Sequence, residues 1–260
     1  FTGFSSPLCL AAAPEWKSSS ITLALCHAAK ERVMRKQFLT LLILASVAIL
    51  PQVTASAQGG PGGGGGNGGL LAYLATLPVE PLSSSETSAI LMMREEEKLA
   101  RDVYLTLAAI YPQPIFNNIA SSEQSHMNAV GFLIQRYGLV DPVTDNTVGV
   151  FQTPLFQEIY TSLIRVGGWS LNHALWVGNL IEDLDINDLD LAIAQSDSAD
   201  VLTVFQNLQK GSRNHLRSFH SNLWNRGWTY YPYFLQPAPF LAILLTPHEV
   251  GIVDLNGVPI

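Results

Sequence analysis

Four stretches of the chain repeat apolar residues at alternating steps of three and four, the period at which a helix keeps one side turned toward a core. The first is expected over 86–111, because Ser83, Ser84 and Ser85 offer caps, no Gly or Pro interrupts the run, and Pro112 stops it. Its stripe reads Ile90, Met93, Glu97, Ala100, Tyr104, Leu107 and Tyr111. A second helix over 115–137 starts after Pro114 and stops at Gly138, with Phe116, Ile119, Glu123, His126, Val130, Leu133 and Tyr137 aligned. A third runs from near Ser170 to Gln195 and aligns Leu171, Leu175, Gly178, Glu182, Asp185, Leu189 and Ala192. The fourth, over 199–226, aligns Val201, Phe205, Leu208, Ser212, His215, Phe219 and Asn222 and closes on Gly227.

The connection from Leu139 to Gly168 is too long for a tight turn, and Thr153 followed by Pro154 predicts a short helix over 154–166. A long crossover between the second and third helices lets the third run parallel to the second. The expected fold class is therefore all-α: a ferritin-like four-helix bundle with a long crossover containing a short helix, occupying 70–235. Residues 236–260 form a C-terminal tail with short apolar runs, which either covers the open end of the bundle or mediates assembly into a homo-oligomer.

The front of the chain has a different character. Met34, Arg35 and Lys36 precede an apolar run from Phe38 to Leu50 and the segment Ala55-Ser56-Ala57, the three-part layout of a secretory signal peptide over 34–57. The run is shorter than the roughly 20 apolar residues that a membrane-crossing helix needs. The chain is expected to be exported, periplasmic or extracellular, with no stable membrane insertion after cleavage. Residues 1–33 precede Met34, show no coherent period, and are set aside as a doubtful upstream segment. Residues 58–69 read as a disordered Gly-rich linker, and lack the Gly-Lys-Ser/Thr ending of a phosphate loop.

Processing at Ala57 changes the chemistry that remains. Cys9 and Cys26 both fall in the discarded part, so the expected mature chain has neither disulfides nor thiolate ligands. Removing the five basic and two acidic side chains of 1–57 from totals of 14 and 21 leaves 9 and 19, a net charge near −10. So acidic a chain is a poor partner for nucleic acid or an anionic membrane surface.

Ionisable residues sit in the middle of the apolar stripes. Taken singly, Glu97 belongs to a Glu95-Glu96-Glu97 run that would ordinarily be solvated, and His126 or His215 would ordinarily be a core histidine satisfied by a hydrogen bond. Taken together, several carboxylates in one core need compensating cations, and no Lys or Arg lies on the stripes. Oxygen and imidazole donors without thiolate suit iron, manganese or zinc. Carboxylate-bridged bundles use one Glu from each of two helices and Glu-x-x-His from each of the other two. Glu97 and Glu182 match the single glutamates, and Glu123 with His126 matches one pair. The second pair is broken, because Ser212 stands three residues before His215. Asp185, one turn after Glu182, is the acid able to compensate.

The strings Glu-Glu-Lys-Leu-Ala-Arg-Asp-Val-Tyr (96–104), Ile-Ala-Ser-Ser-Glu-Gln-Ser-His (119–126), Ile-Glu-Asp-Leu-Asp-Ile-Asn-Asp-Leu (181–189) and Gly-Ser-Arg-Asn-His-Leu-Arg-Ser-Phe (211–219) resemble the bacterial ferritin-like family known as domain of unknown function 2202. Glu97, Ala100, Arg101 and Tyr104, with Glu123 to His126, are more distantly similar to rubrerythrins. That likeness implies oxygen or peroxide chemistry at a di-iron centre, and with the donor set it leads to an expectation of iron or manganese, one or two ions per chain. Glu97, Glu123, His126, Glu182, Asp185 and His215 would be the metal ligands, Tyr104 a hydrogen-bond donor or radical relay at the centre, and Arg213 and Asn214 would orient neighbouring groups. Two other readings stay open: a metal-binding protein without turnover, and an empty bundle whose acids pair with Arg101, Arg213 or Arg217.

Overall fold

The computed structural model describes residues 68–260, in which seven helices follow one another. They are α1 (Gly68–Leu74), α2 (Ser84–Ile110), α3 (Pro114–Arg136), α4 (Pro154–Gly167), α5 (Leu171–Ala194), α6 (Ala199–Trp224) and α7 (Pro237–Leu245). The domain is all-α. The segments expected at 1–33 and 34–57, and the linker up to residue 67, lie outside the described residues. Gly68 and Gly69, expected in that linker, are the first residues of α1, whose Leu70 and Leu74 are buried in the core.

Local chemistry sets the helix ends. Ser83 and Glu86 form a reciprocal capping box at the start of α2, and Pro114 and Pro154 occupy first-turn positions where a missing N–H costs nothing. The Ser170 hydroxyl accepts from His173 N–H at the start of α5. Gly138 and Gly227, with φ of 63° and 76°, take the left-handed conformation just past α3 and α6.

Two hairpins, α2 with α3 and α5 with α6, form the principal pairs, and α4 packs on α5 and α2. Tyr111 at the end of α2 donates to the Gly168 carbonyl before α5, while Glu86 at the start of α2 accepts from Ser198 N–H before α6. Those two contacts lie at opposite ends, so α5 runs antiparallel to α2 and parallel to α3. The crossover therefore does what its length predicted.

The crossover is anchored by buried charge. Asp102 accepts from Lys98 Nζ, from Arg101 Nε and from Gly149 N–H, and Lys98 also donates to the Thr147 and Val150 carbonyls. Lys98 is buried, paired, and stacked over the Phe151 ring at 4.2 Å.

Two elements were not foreseen: α1 and α7. The tail carrying α7 folds back on α6, where the side-chain amides of Asn207 and Asn214 exchange hydrogen bonds in both directions with the backbones of Val253 and Glu249. α5 is buried on nearly every side rather than along one stripe, since α4, α6 and the 230–235 segment all cover it. Among the described residues, no helix is long and apolar enough to cross a membrane.

Candidate metal centre

Each paired helix brings its ionisable residues to the same level of the bundle. On one side of that level lie Ile90, Met93, Val130, Leu133, Leu189, Phe205 and Leu208. On the other, the rings of Tyr104 and Phe116 flank Phe219 at 5.0 and 5.9 Å. The charged layer is thus enclosed by apolar ones, and Glu97, Glu123 and Glu182 are each 2% exposed or less. Glu95 and Glu96 are buried as well, so the solvated-run reading of 95–97 is overturned by burial of all three.

Glu123 is the hub. Its Oε2 lies 2.8 Å from His126 Nδ1 and its Oε1 lies 2.9 Å from His215 Nδ1. His126 Nδ1 is also 3.2 Å from Glu97 Oε2, and His215 Nδ1 is 3.5 Å from Glu182 Oε2. Two triads result, Glu97/Glu123/His126 and Glu123/Glu182/His215, each with donor atoms within 4.8 Å of one another and able to hold a metal ion. The two imidazoles stack at 5.5 Å across the hub.

Two of the donor atoms are not satisfied by their neighbours. Glu97 Oε1 and His215 Nδ1 are buried without a hydrogen-bond partner, although Glu123 Oε1 is only 2.9 Å from that nitrogen. Burial of polar atoms without partners is costly and uncommon. Oxygen and nitrogen donors gathered within 4.8 Å of one another are what a cation satisfies, so the residues fit a metal by donor type and proximity.

The proton affinities express the same frustration. Burial pushes Glu97 up to about 7, with His126 opposing and Glu123 adding to the rise. Burial and the neighbouring Glu123 push Glu182 up to about 7. Glu123 goes the other way: burial would raise it, but His215 and His126 outweigh that and hold it well below the usual range. His215 is pushed up to about 10 because Glu123 and Glu182 overcome the cost of burying its charge, and Glu97 and Glu123 raise His126 in the same way.

The remaining predicted residues fall around the triads. Tyr104 donates from its hydroxyl to Glu182 Oε1 at 2.5 Å, and burial together with that carboxylate drives its own proton affinity well above the ordinary tyrosine value. Asp185 belongs to neither triad; its Oδ2 accepts from the Ser212 hydroxyl at 2.5 Å, so the two residues that break the expected pattern are bonded to each other. Burial, with Glu97 and Glu182 next, holds the Asp185 carboxyl well above its ordinary value.

Arg213 and Asn214 do not orient groups at this centre. Arg213 chelates the Glu249 carboxylate, and Asn214 bonds the Glu249 backbone, because their side chains leave α6 on the face covered by the tail. Arg217 also donates to Glu249, and Arg101 to Asp102 and Gln124. None of these three arginines forms an ion pair with a triad carboxylate, so the arginine pairing expected of an empty bundle is not formed.

Two helical glycines stand at close approaches. A Cβ on Gly178 would stand 2.5 Å from the Phe219 ring, and one on Gly211 would stand 2.4 Å from His126 Nε2. The available signal was a glycine inside a helix, where it costs stability and usually marks a close approach.

Fold and site together define a helical domain with buried Glu/His clusters that suggest a dimetal centre. The chain belongs to the family described as an uncharacterised protein domain, DUF2202, whose model matches residues 86–247. It is 46% identical over 182 residues to the uncharacterised protein MJ0754 of Methanocaldococcus jannaschii, covering 70% of this chain and 98% of that one. The crystal structure of the hypothetical protein MJ0754 superposes with a TM-score of 0.66, covering 67% of this chain and 99% of that one.

Proposed function

We propose that this chain is an exported ferritin-like protein that binds iron or manganese at two adjacent positions and acts as an oxidoreductase on oxygen or peroxide. The observation that carries the reading is Glu123, whose two oxygens serve two triads from four different helices. Glu97 and His126 would hold one ion, Glu182 and His215 the other, and Glu123 both. A bound redox metal pair supplies electron transfer to an oxygen–oxygen bond. The chain's own contribution is to exclude bulk water with the Tyr104, Phe116 and Phe219 wall and to keep a proton at Tyr104 Oη, aimed at Glu182 Oε1. The histidine side chains, 11% and 9% exposed, leave the more accessible side of the centre.

A second reading, metal binding without turnover, is favoured by one observation. Ser212 supplies a hydroxyl bonded to Asp185 where the Glu-x-x-His pattern supplies a carboxylate ligand. The two readings separate on metal-loaded protein: bleaching or reoxidation of a metal-to-oxygen absorption band on adding peroxide supports the oxidoreductase, and an inert spectrum supports the binder. Both fail if protein reconstituted with iron or manganese retains less than ~0.2 ion per chain, well short of a stoichiometric holo state. Export through 34–57 is tested separately, by sequencing the N-terminus of the chain recovered outside the cytoplasm, where a start at Gln58 is expected.

A further inference from the structure

We propose that Gly211 is a positioning residue: by having no side chain it lets α6 approach His126 closely enough to fix that ring with Nδ1 toward Glu97 and Glu123. The inference rests on the metal-binding reading above and concerns the first triad alone. Gly211 lies within α6, one turn before His215. A Cβ there would fall 2.4 Å from His126 Nε2 and 2.5 Å from its Cε1, distances that require one of the two to move.

The ring is held on its opposite edge as well. It is confined on its Nδ1 edge by Glu123 and Glu97 at 2.8 and 3.2 Å, and the His215 imidazole lies 5.5 Å away, tilted by 29°. With Nε2 against the α6 backbone, only Nδ1 is left for a cation. An alanine at 211 would ordinarily strengthen the helix, so a glycine here gives up stability to make room. The three atoms nearest that methyl position all belong to His126, and none to His215 of the other triad. Gly211→Ala should therefore damage Glu97/Glu123/His126 and spare Glu123/Glu182/His215.

The test uses the full chain, with Mn(II) as the probe and equilibrium dialysis and electron paramagnetic resonance as readouts. Wild type is expected to bind two ions with a coupled spectrum. Gly211→Ala should keep one ion at wild-type affinity, bind the other about 10–100-fold more weakly, and show the spectrum of an isolated ion. Wild-type stoichiometry, affinity and coupling in the variant would overturn the inference while leaving the metal reading intact. No binding by wild type would instead sink the metal reading, and this inference with it.

A metal-free measurement covers the case in which the variant folds poorly. Gly211→Ala should lower the melting temperature of wild type but raise that of His126→Ala, where the obstacle is gone and only the helical gain remains. A shift of the same sign on both backgrounds refutes the close-approach argument.

Discussion

Replacing Glu123 by Gln is the most informative single perturbation, because this side chain is shared while its neighbours are not. Its two oxygens face His126 and His215 at 2.8 and 2.9 Å, and both rings are held in the charged form largely by carboxylates of this cluster. An amide of the same shape keeps one acceptor and turns a donor toward the other imidazole. Removing one partner from a buried charge network costs about 3–5 kcal/mol. In a domain of this size each kcal/mol lowers the melting temperature by about 2–4 °C, so metal-free Glu123→Gln should melt roughly 6–20 °C below wild type. A ligand at a thousand times its dissociation constant adds about 4 kcal/mol of stability. Wild type should therefore gain strongly from manganese and Glu123→Gln should gain nothing. Glu97→Gln and Glu182→Gln, each in one triad, should each forfeit one ion. Melting with and without metal, alongside metal content per chain, reads both effects. If Glu123→Gln loses no more metal than Glu97→Gln, the shared-ligand geometry is wrong.

Three further outcomes follow from other contacts. Glu86 accepts from Ser83 N–H and Oγ–H and from the N–H groups of Asp197 and Ser198, and although burial alone would raise its pKa, those bonds lower it from 4.5 to about 2. A depressed carboxylate stabilises the fold above its unfolded pKa and ceases to as pH falls. Glu86→Gln should thus cost on the order of 3 kcal/mol at neutral pH, with the gap to wild type closing between pH 4.5 and 2; a gap independent of pH in denaturant melts would contradict this. Tyr104→Phe removes a charge-assisted bond to Glu182 and should cost about 1.5–3 kcal/mol with metal stoichiometry unchanged, which chemical denaturation and metal analysis together check. Asp183 accepts from the Tyr230 hydroxyl and the N–H groups of Tyr233, Phe234 and Leu235, so Asp183→Asn should speed hydrogen exchange at 233–235 selectively; unchanged protection there would refute its role as the anchor of that turn.

The sequence by itself determined the four long helices, their ends and the level of the charged layer, because capping, proline and three-to-four spacing act within a few residues of each other. It also singled out Glu97, Glu123, His126, Glu182 and His215, since acids and imidazoles in an apolar stripe are costly enough to be conspicuous. Only the tertiary structure decided which acids share a triad, and that Asp185 turns to Ser212 instead of joining one. It alone sent Arg213, Asn214 and Arg217 to the tail, and brought the Thr147 and Val150 carbonyls to Lys98. α1 and α7 escaped because a glycine-led and a proline-led short run are held as helices by burial against the bundle, through Leu70, Leu74, Phe240 and Ile243. The physical reason is common to all of these: the deciding partners lie across helices or at the far end of the chain, and a periodic pattern says which way a residue faces without saying what it meets.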